Sequence, residues 1–364
     1  MKIALVTDTY HPQVNGVVSS VDTIAEELEK EHEVHIFAPT RSERAYSFNS
    51  FPFYLWPDYR IAYVRAKTLA KIFEEKDIEI IHVHTPFSLG VSGVGAARHL
   101  TLPAVGTFHT LLPEYTHYIS ETLGLLLRRF GWRYVNWFYG RFNAVTVPST
   151  PIKESLVKRG LKNVHVIPNA VNVDLFHPGK EPPSSDPCIL FVGRLGKEKR
   201  LEVLIDAASS VLEEYPKAKF QIIGRGIHED WYKKIVKEKG LSNNFVFEGY
   251  VSSPDLIKAY QECDIFAIPS DTETQGLVTL EAMACEKPVI GANALGLKDV
   301  ITHEVDGYLF QPGNSSELSD YLLQLLEDDK QRREMGKKAR EKAKEFSAER
   351  IGGQWVNFYS SLLG

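Results

Sequence analysis

Short apolar runs alternate with amphipathic runs along this chain of 364 residues, and the alternation occurs twice. In the first half, Lys2 to Thr7, Glu33 to Ala38, Ile78 to His84, Pro103 to Phe108, Ala144 to Pro148 and Val164 to Ile167 are brief, β-branched and mostly apolar on both faces. Strands of that kind sit inside a parallel sheet covered on both sides. Parallel neighbours need a crossover, and amphipathic segments such as Val18 to Lys30 and Arg65 to Lys76 supply it. The stretch Ala170 to Asp186, with Pro178, Pro182 and Pro183, breaks the pattern and reads as a linker. A second series then begins. Its strands are Cys188 to Val192, Phe220 to Ile223, Phe245 to Phe247, Ile265 to Ile268 and Val289 to Gly291. Its helices are Leu201 to Glu214, His228 to Glu238, Asp255 to Glu262 and Leu277 to Cys285.

This predicts an α/β protein of two doubly wound domains. Residues 1–170 form the first, 171–186 the linker and 187–347 the second. Helices are expected over Ser316 to Leu326, Lys330 to Phe346 and Ala348 to Leu363. The last of these, residues 348–364, carries Trp355 and Phe358 and is expected to cross back onto the first domain. Two such domains are expected to enclose a cleft where strand ends face each other, the usual place for a ligand in open α/β sheets.

Bulk properties narrow the function. A net charge of −5 disfavours a nucleic-acid partner. Cys188, Cys263 and Cys285 have neither paired nor metal-ligand spacing, so structural thiols in a reducing cytoplasm are expected. Met1 to Val6 enters a strand directly, without a signal-peptide layout, and no apolar run approaches a membrane span.

The segment Ser270 to Glu281 follows an apolar strand and enters an Ala-rich helix. It offers Glu273, the backbone of Thr274, Gln275, Gly276 and Leu277 at a helix start, and Glu281 in the second turn. A helix start suits a phosphate, and carboxylates accept hydrogen bonds from sugar hydroxyls. The competing reading is a solvated helix start with dipole-favoured acids. Gly193 and Arg194 end the first strand of the second domain, and Lys197, Lys199 and Arg200 follow. A guanidinium fork and an ammonium suit a diphosphate, although a charged loop in water would look similar. In the first domain, Asn15, Gly16 and Val17 join a strand to a helix, as an anion loop or an ordinary turn. They lack the spaced glycines of a dinucleotide fingerprint. His109 ends a strand and can donate to a sugar hydroxyl, whereas His82 and His84 read as core histidines. Between Leu125 and Phe142, arginines alternate with aromatic residues, either as a surface for anionic lipid or as a core helix interrupted at Gly131. No metal-binding cluster appears, so no metal or other cofactor is expected.

At these residues the chain resembles the retaining glycosyltransferases of family four, whose two facing Rossmann-like domains define the GT-B architecture. Glu273 and Glu281, with seven residues between them, are similar to that family's paired glutamates. Gly-Arg-Leu followed by Lys199 is similar to its phosphate-binding run. The resemblance implies that Glu273 holds the donor sugar while Thr274 to Leu277 line sugar and phosphate. It places Glu281 on the ribose and Arg194 and Lys199 on the diphosphate. Gly224 with Gly249, Tyr250 and Val251 would frame the base, and His109 would contact the sugar. The run Thr-Phe-His-Thr, followed by Glu114, Tyr115, His117 and Tyr118, resembles the diacylglycerol glucosyltransferases and marks these four as acceptor residues. Within this group the expectation is glucose transfer from UDP-glucose to a lipid hydroxyl with an α linkage, at the inner face of the cell membrane. The alternatives are a GDP-mannose-dependent mannosyltransferase, a sugar-nucleotide 2-epimerase and a non-catalytic sugar-nucleotide-binding protein.

Overall fold

The computed structural model describes residues 1–40, 42–52, 60–111, 124–179 and 186–364, with backbone alone at 124–126. Glu114, Tyr115, His117 and Tyr118 therefore lie outside the described residues. The chain divides into two compact units, Met1–Ala170 with Ala348–Gly364, and Val171–Ser347.

The first unit contains β1 (Lys2–Val6), β2 (Glu33–Ala38), β3 (Ala45–Ser47), β4 (Ser50–Pro52), β5 (Arg60–Ala62), β6 (Ile80–Val83), β7 (Ala104–Thr107), β8 (Ala144–Val147) and β9 (Val164–Val166). Seven of these form one sheet in the order β3-β2-β1-β6-β7-β8-β9, while β4 and β5 pair separately and antiparallel. The large sheet is parallel throughout; Ile3, for example, lies opposite both Val34 and Ile80. The helix Ala348–Leu363 is part of this unit. Its Ile351, Trp355 and Tyr359 are buried with Ile3, Leu5 and the inward face of the helix Gly16–Leu28. The chain end thus completes the first unit's core.

The second unit contains β10 (Cys188–Val192), β11 (Lys219–Ile223), β12 (Phe245–Gly249), β13 (Ile265–Ile268), β14 (Val289–Ala292) and β15 (Gly307–Phe310). They form a six-stranded sheet in the order β12-β11-β10-β13-β14-β15, parallel throughout. Side chains alternate between two cores: Ile189, Phe191, Ile265 and Ala267 enter one, and Leu190, Val192, Phe266 and Ile268 the other. Burial on both faces explains why these strands are continuously apolar. Residues 171–179, marked by their composition as linker, fold with this unit; Val171 bridges to Ser347, and Val173 and Phe176 pack on the core.

In each sheet the order reverses once, at β1 beside β6 and at β10 beside β13. The two loops leaving those strands lie side by side, which is where an open α/β sheet collects ligand-binding groups.

Candidate active site

The second unit's reversal point brings together the residues that follow β10 and β13. Lys199 ends a single turn of 3-10 helix, Lys197–Lys199, and its Nζ lies 2.5 Å from Glu273 Oε1. Both side chains are mostly out of water, at 20% and 12% exposure. The loops are fastened by further bonds: Ser270 Oγ donates to the Glu198 carbonyl at 3.1 Å, and Arg200 meets Asp271 at 3.5 Å. Arg194 is more exposed and reaches the buried carboxylate of Glu198 at 3.3 Å. Sequence reasoning had no role for Glu198, the acid that anchors Arg194.

Backbone geometry shapes the floor. Gly193 N donates to the Ile223 carbonyl at 2.9 Å and Gly224 N to the Gly249 carbonyl at 2.8 Å, so the ends of β10, β11 and β12 lie edge to edge. A Cβ at Gly224 would stand 2.0 Å from the Gly193 carbonyl oxygen, and its φ of +124° is open to glycine alone. Tyr250 is exposed beside this floor, whereas Val251 packs into the core. Gly276 caps the helix Leu277–Ala284 with φ +88° and, being glycine, brings no side chain of its own to that helix start. Glu273, Thr274, Gln275, Gly276 and Leu277 thus sit together where the dipole's positive end emerges. Glu281 lies one turn inside the helix, where its Oε2 accepts from Tyr260 Oη at 2.7 Å. Burial raises the Glu281 carboxyl to about 7, partly offset by the Tyr260 bond.

The first unit's reversal point is built differently. The buried carboxylate of Asp8 accepts from Thr85 Oγ1, Ser88 Oγ, Leu89 N and Gly90 N at 2.7–3.1 Å. It therefore fills the start of the helix Ser88–Leu100 with the protein's own anion. Asn15 does likewise for the helix Gly16–Leu28: its Oδ1 accepts from Val17 N at 3.0 Å and Val18 N at 3.1 Å. Asn15 is a helix cap here and not a turn residue, and those two amides already have an acceptor. Val17, His84, Thr85, Thr110 and His109 line a recess with space of ≈ 10 Å³, about one water molecule. Burial lowers the His109 imidazole to about 4. The core assignment holds for His82, which is bonded to Tyr359 Oη at 2.6 Å and Thr107 Oγ1 at 2.5 Å. It holds for His84 as well, which is 1% exposed and contacts His109 directly.

The basic-aromatic segment is one continuous helix, Gly124–Tyr139, which runs through Gly131 without interruption. Gly131 lowers helix propensity, but side-chain packing outweighs that cost. Val135, Phe138 and Tyr139 are buried, while Phe130, Tyr134 and Trp137 remain exposed among Arg128, Arg129 and Arg133. Arg159 stacks over Trp132 at 3.9 Å and Arg141 over Trp137 at 3.7 Å. The segment is therefore both things at once: a core face and a cationic, aromatic outer face. Among the described residues no helix is long and apolar enough to cross a membrane, and no group of three His, Cys, Asp or Glu is placed to hold a metal ion.

Two parallel α/β units, the second with Lys199 and Glu273 paired just before a glycine-capped helix, have the architecture of the GT-B glycosyltransferases. Solved structures of similar fold include a sucrose-phosphate synthase from Thermosynechococcus elongatus (TM-score 0.81, 21% identity, 100% of this chain and 99% of that one). Another is Anabaena Alr3699/HepE in complex with UDP-glucose (TM-score 0.79, 22% identity, 99% and 100%). Residues 14–175 match the family described as Glycosyltransferase Family 4, and residues 173–342 match Glycosyl transferases group 1. An alpha-monoglucosyldiacylglycerol synthase of Streptococcus pneumoniae is 30% identical over 100% of this chain and 86% of that protein. One from Acholeplasma laidlawii is 28% identical over 80% of each. A GDP-mannose-dependent alpha-mannosyltransferase of Mycobacterium tuberculosis is 27% identical over 90% and 89%. The chain belongs to glycosyltransferase family 4.

Proposed function

We propose that this glycosyltransferase moves glucose from UDP-glucose to the hydroxyl of a lipid such as diacylglycerol, with the α configuration retained and without a metal ion. The observation that carries the donor half is Lys199 held against Glu273 beside the start of the helix Leu277–Ala284. In this reading the diphosphate takes Lys199, Arg194 and the helix start, whose positive charges offset what the leaving group acquires. Glu273, released from Lys199 by the diphosphate, accepts hydrogen bonds from the sugar, and Glu281 accepts them from the ribose. The floor from Gly193 through Gly224 to Gly249, with Tyr250 and Val251, frames the base. The bond from the anomeric carbon to UDP breaks as the bond to the acceptor oxygen forms. The acceptor's proton goes to the departing phosphate, and His109 contacts the sugar.

The acceptor half draws on the names of the two synthases and on the outer face of the helix Gly124–Tyr139. Arginines beside exposed aromatic rings suit peripheral docking on an anionic membrane, where a diacylglycerol would be within reach. A screen of UDP- and GDP-sugars for donor breakdown tests the proposal. UDP-glucose is expected to be consumed fastest; preference for GDP-mannose would favour the mannosyltransferase reading. Conversion of a donor alone into its 2-epimer would overturn transfer altogether.

A further inference from the structure

His84 follows β6 and is buried, and its Nδ1 lies 3.0 Å from Nε2 of His109. The two rings meet edge to edge, with centroids 5.3 Å apart and planes 19° from parallel. On the other side, the His82 ring packs at 3.9 Å, itself held by Tyr359 of the C-terminal helix and by Thr107. The remaining nitrogen of His84, Nε2, is buried with no hydrogen-bond partner among the described residues. Burial disfavours charge on both rings; it lowers His84 well below the usual imidazole value, with His82 and His109 adding to the effect, and lowers His109 to about 4.

Two neutral imidazoles share one proton in an N–H···N bond, and only two arrangements exist. If His109 donates from Nε2, His84 must carry its own proton on Nε2, a buried N–H facing no acceptor among the described residues. If His84 donates from Nδ1, its Nε2 is a bare lone pair. Buried N–H groups without an acceptor are the rarer of the two, so the second arrangement is favoured.

We infer that His84 is a positioning residue that donates from Nδ1 to His109 Nε2 and thereby fixes the proton of His109 on Nδ1. Combined with the proposed function, on which this consequence rests, His109 then meets the donor sugar as a hydrogen-bond donor. The His82–Tyr359 bond ties the ring behind His84 to the C-terminal helix.

The test is the ring-nitrogen spectrum of the full chain labelled with ¹⁵N-histidine at neutral pH, without donor, with the His109 signals assigned by their loss in His109→Gln. The expected spectrum shows a protonated Nδ1 and an unprotonated Nε2 at His109. A protonated Nε2 in the unsubstituted protein would overturn the inference, whether or not the protein transfers sugar. In His84→Leu, which fills the space without a donor, His109 is expected to shift its proton toward Nε2. A folded His84→Leu protein with an unchanged His109 tautomer would remove His84 from that role. If that variant does not fold, the unsubstituted spectrum decides alone. Inactivity toward every donor, with the expected tautomer in place, would fault the proposed function and leave the His84 assignment standing.

Discussion

Replacing Lys199 with Ala should separate the chemistry of this site from its folding. The Lys199–Glu273 pair spans 2.5 Å, with side chains 20% and 12% exposed. An exposed pair contributes up to about 1 kcal/mol, and removing one partner of a fully buried pair costs about 3–5 kcal/mol. This pair is mostly but not wholly removed from water, so its loss should cost about 1–3 kcal/mol. At roughly 2–4 °C per kcal/mol for a domain of this size, the variant should melt about 2–12 °C below wild type. Stability of about 5–15 kcal/mol is ordinary, so the variant remains folded at room temperature. Activity should fall much further. Loss of one fixed charge-stabilising group in a water-poor site costs about 10²–10³ in kcat. Circular dichroism and UDP release from UDP-glucose, measured on the same sample, read the two effects separately. Turnover at the wild-type rate by a folded Lys199→Ala protein would refute the role given to this cation. So would additive activity losses in Lys199→Ala combined with Glu273→Ala, because groups that act as a unit do not add.

Further outcomes follow from the same geometry. Glu281 is raised in the folded protein from 4.5 to about 7, so folding favours its protonated form and the stability this contributes is lost as pH rises through about 7. Glu281→Gln should therefore gain melting temperature over wild type as pH rises from 4.5 to 8, and a pH-independent difference would contradict the burial argument. Trp355 is 1% exposed within the first unit's core, so Trp355→Ala should cost about 3–5 kcal/mol in denaturant unfolding; a loss below about 1 kcal/mol would mean the C-terminal helix is dispensable there. Substituting Ala for Arg128, Arg129 and Arg133 should weaken binding to anionic vesicles by about 1 kcal/mol per arginine, read by co-sedimentation, and unchanged sedimentation would exclude that face as the membrane contact.

Much of the architecture was legible because parallel strands buried on both faces are continuous apolar words. β10 and β13 carry their four-residue cores, Ile189 to Val192 and Ile265 to Ile268, without a polar interruption. What escaped was written in tertiary contacts. The helix Ser88–Leu100 contains Gly90, Gly93 and Gly95, a poor helix former by composition. It is started by the distant Asp8 carboxylate, and Gly90 and Gly93 pack against the ends of β1 and β6. β15 begins at Gly307 and spans only four residues, too few for its period to stand out. Within the site, Glu273, Lys199 and Gly276 were readable from their place between strand and helix. Glu198, Tyr260 and His84 were not, because each acts on a site residue through a contact that sequence spacing does not encode. Asn15, read from sequence as part of an anion loop or as an ordinary turn, caps a helix instead, and only its β-region backbone and the two amides it accepts from distinguish these local readings.

The most direct measurement is the product itself. UDP-glucose and vesicles containing diacylglycerol and an anionic lipid are incubated with the protein in EDTA, and the anomeric proton of the glycolipid is read by NMR. α-Glucosyl diacylglycerol is expected, formed one-for-one with UDP. A β linkage, a strict requirement for added divalent metal, or UDP release with glucose and no glycolipid would contradict retaining, metal-independent transfer to the lipid.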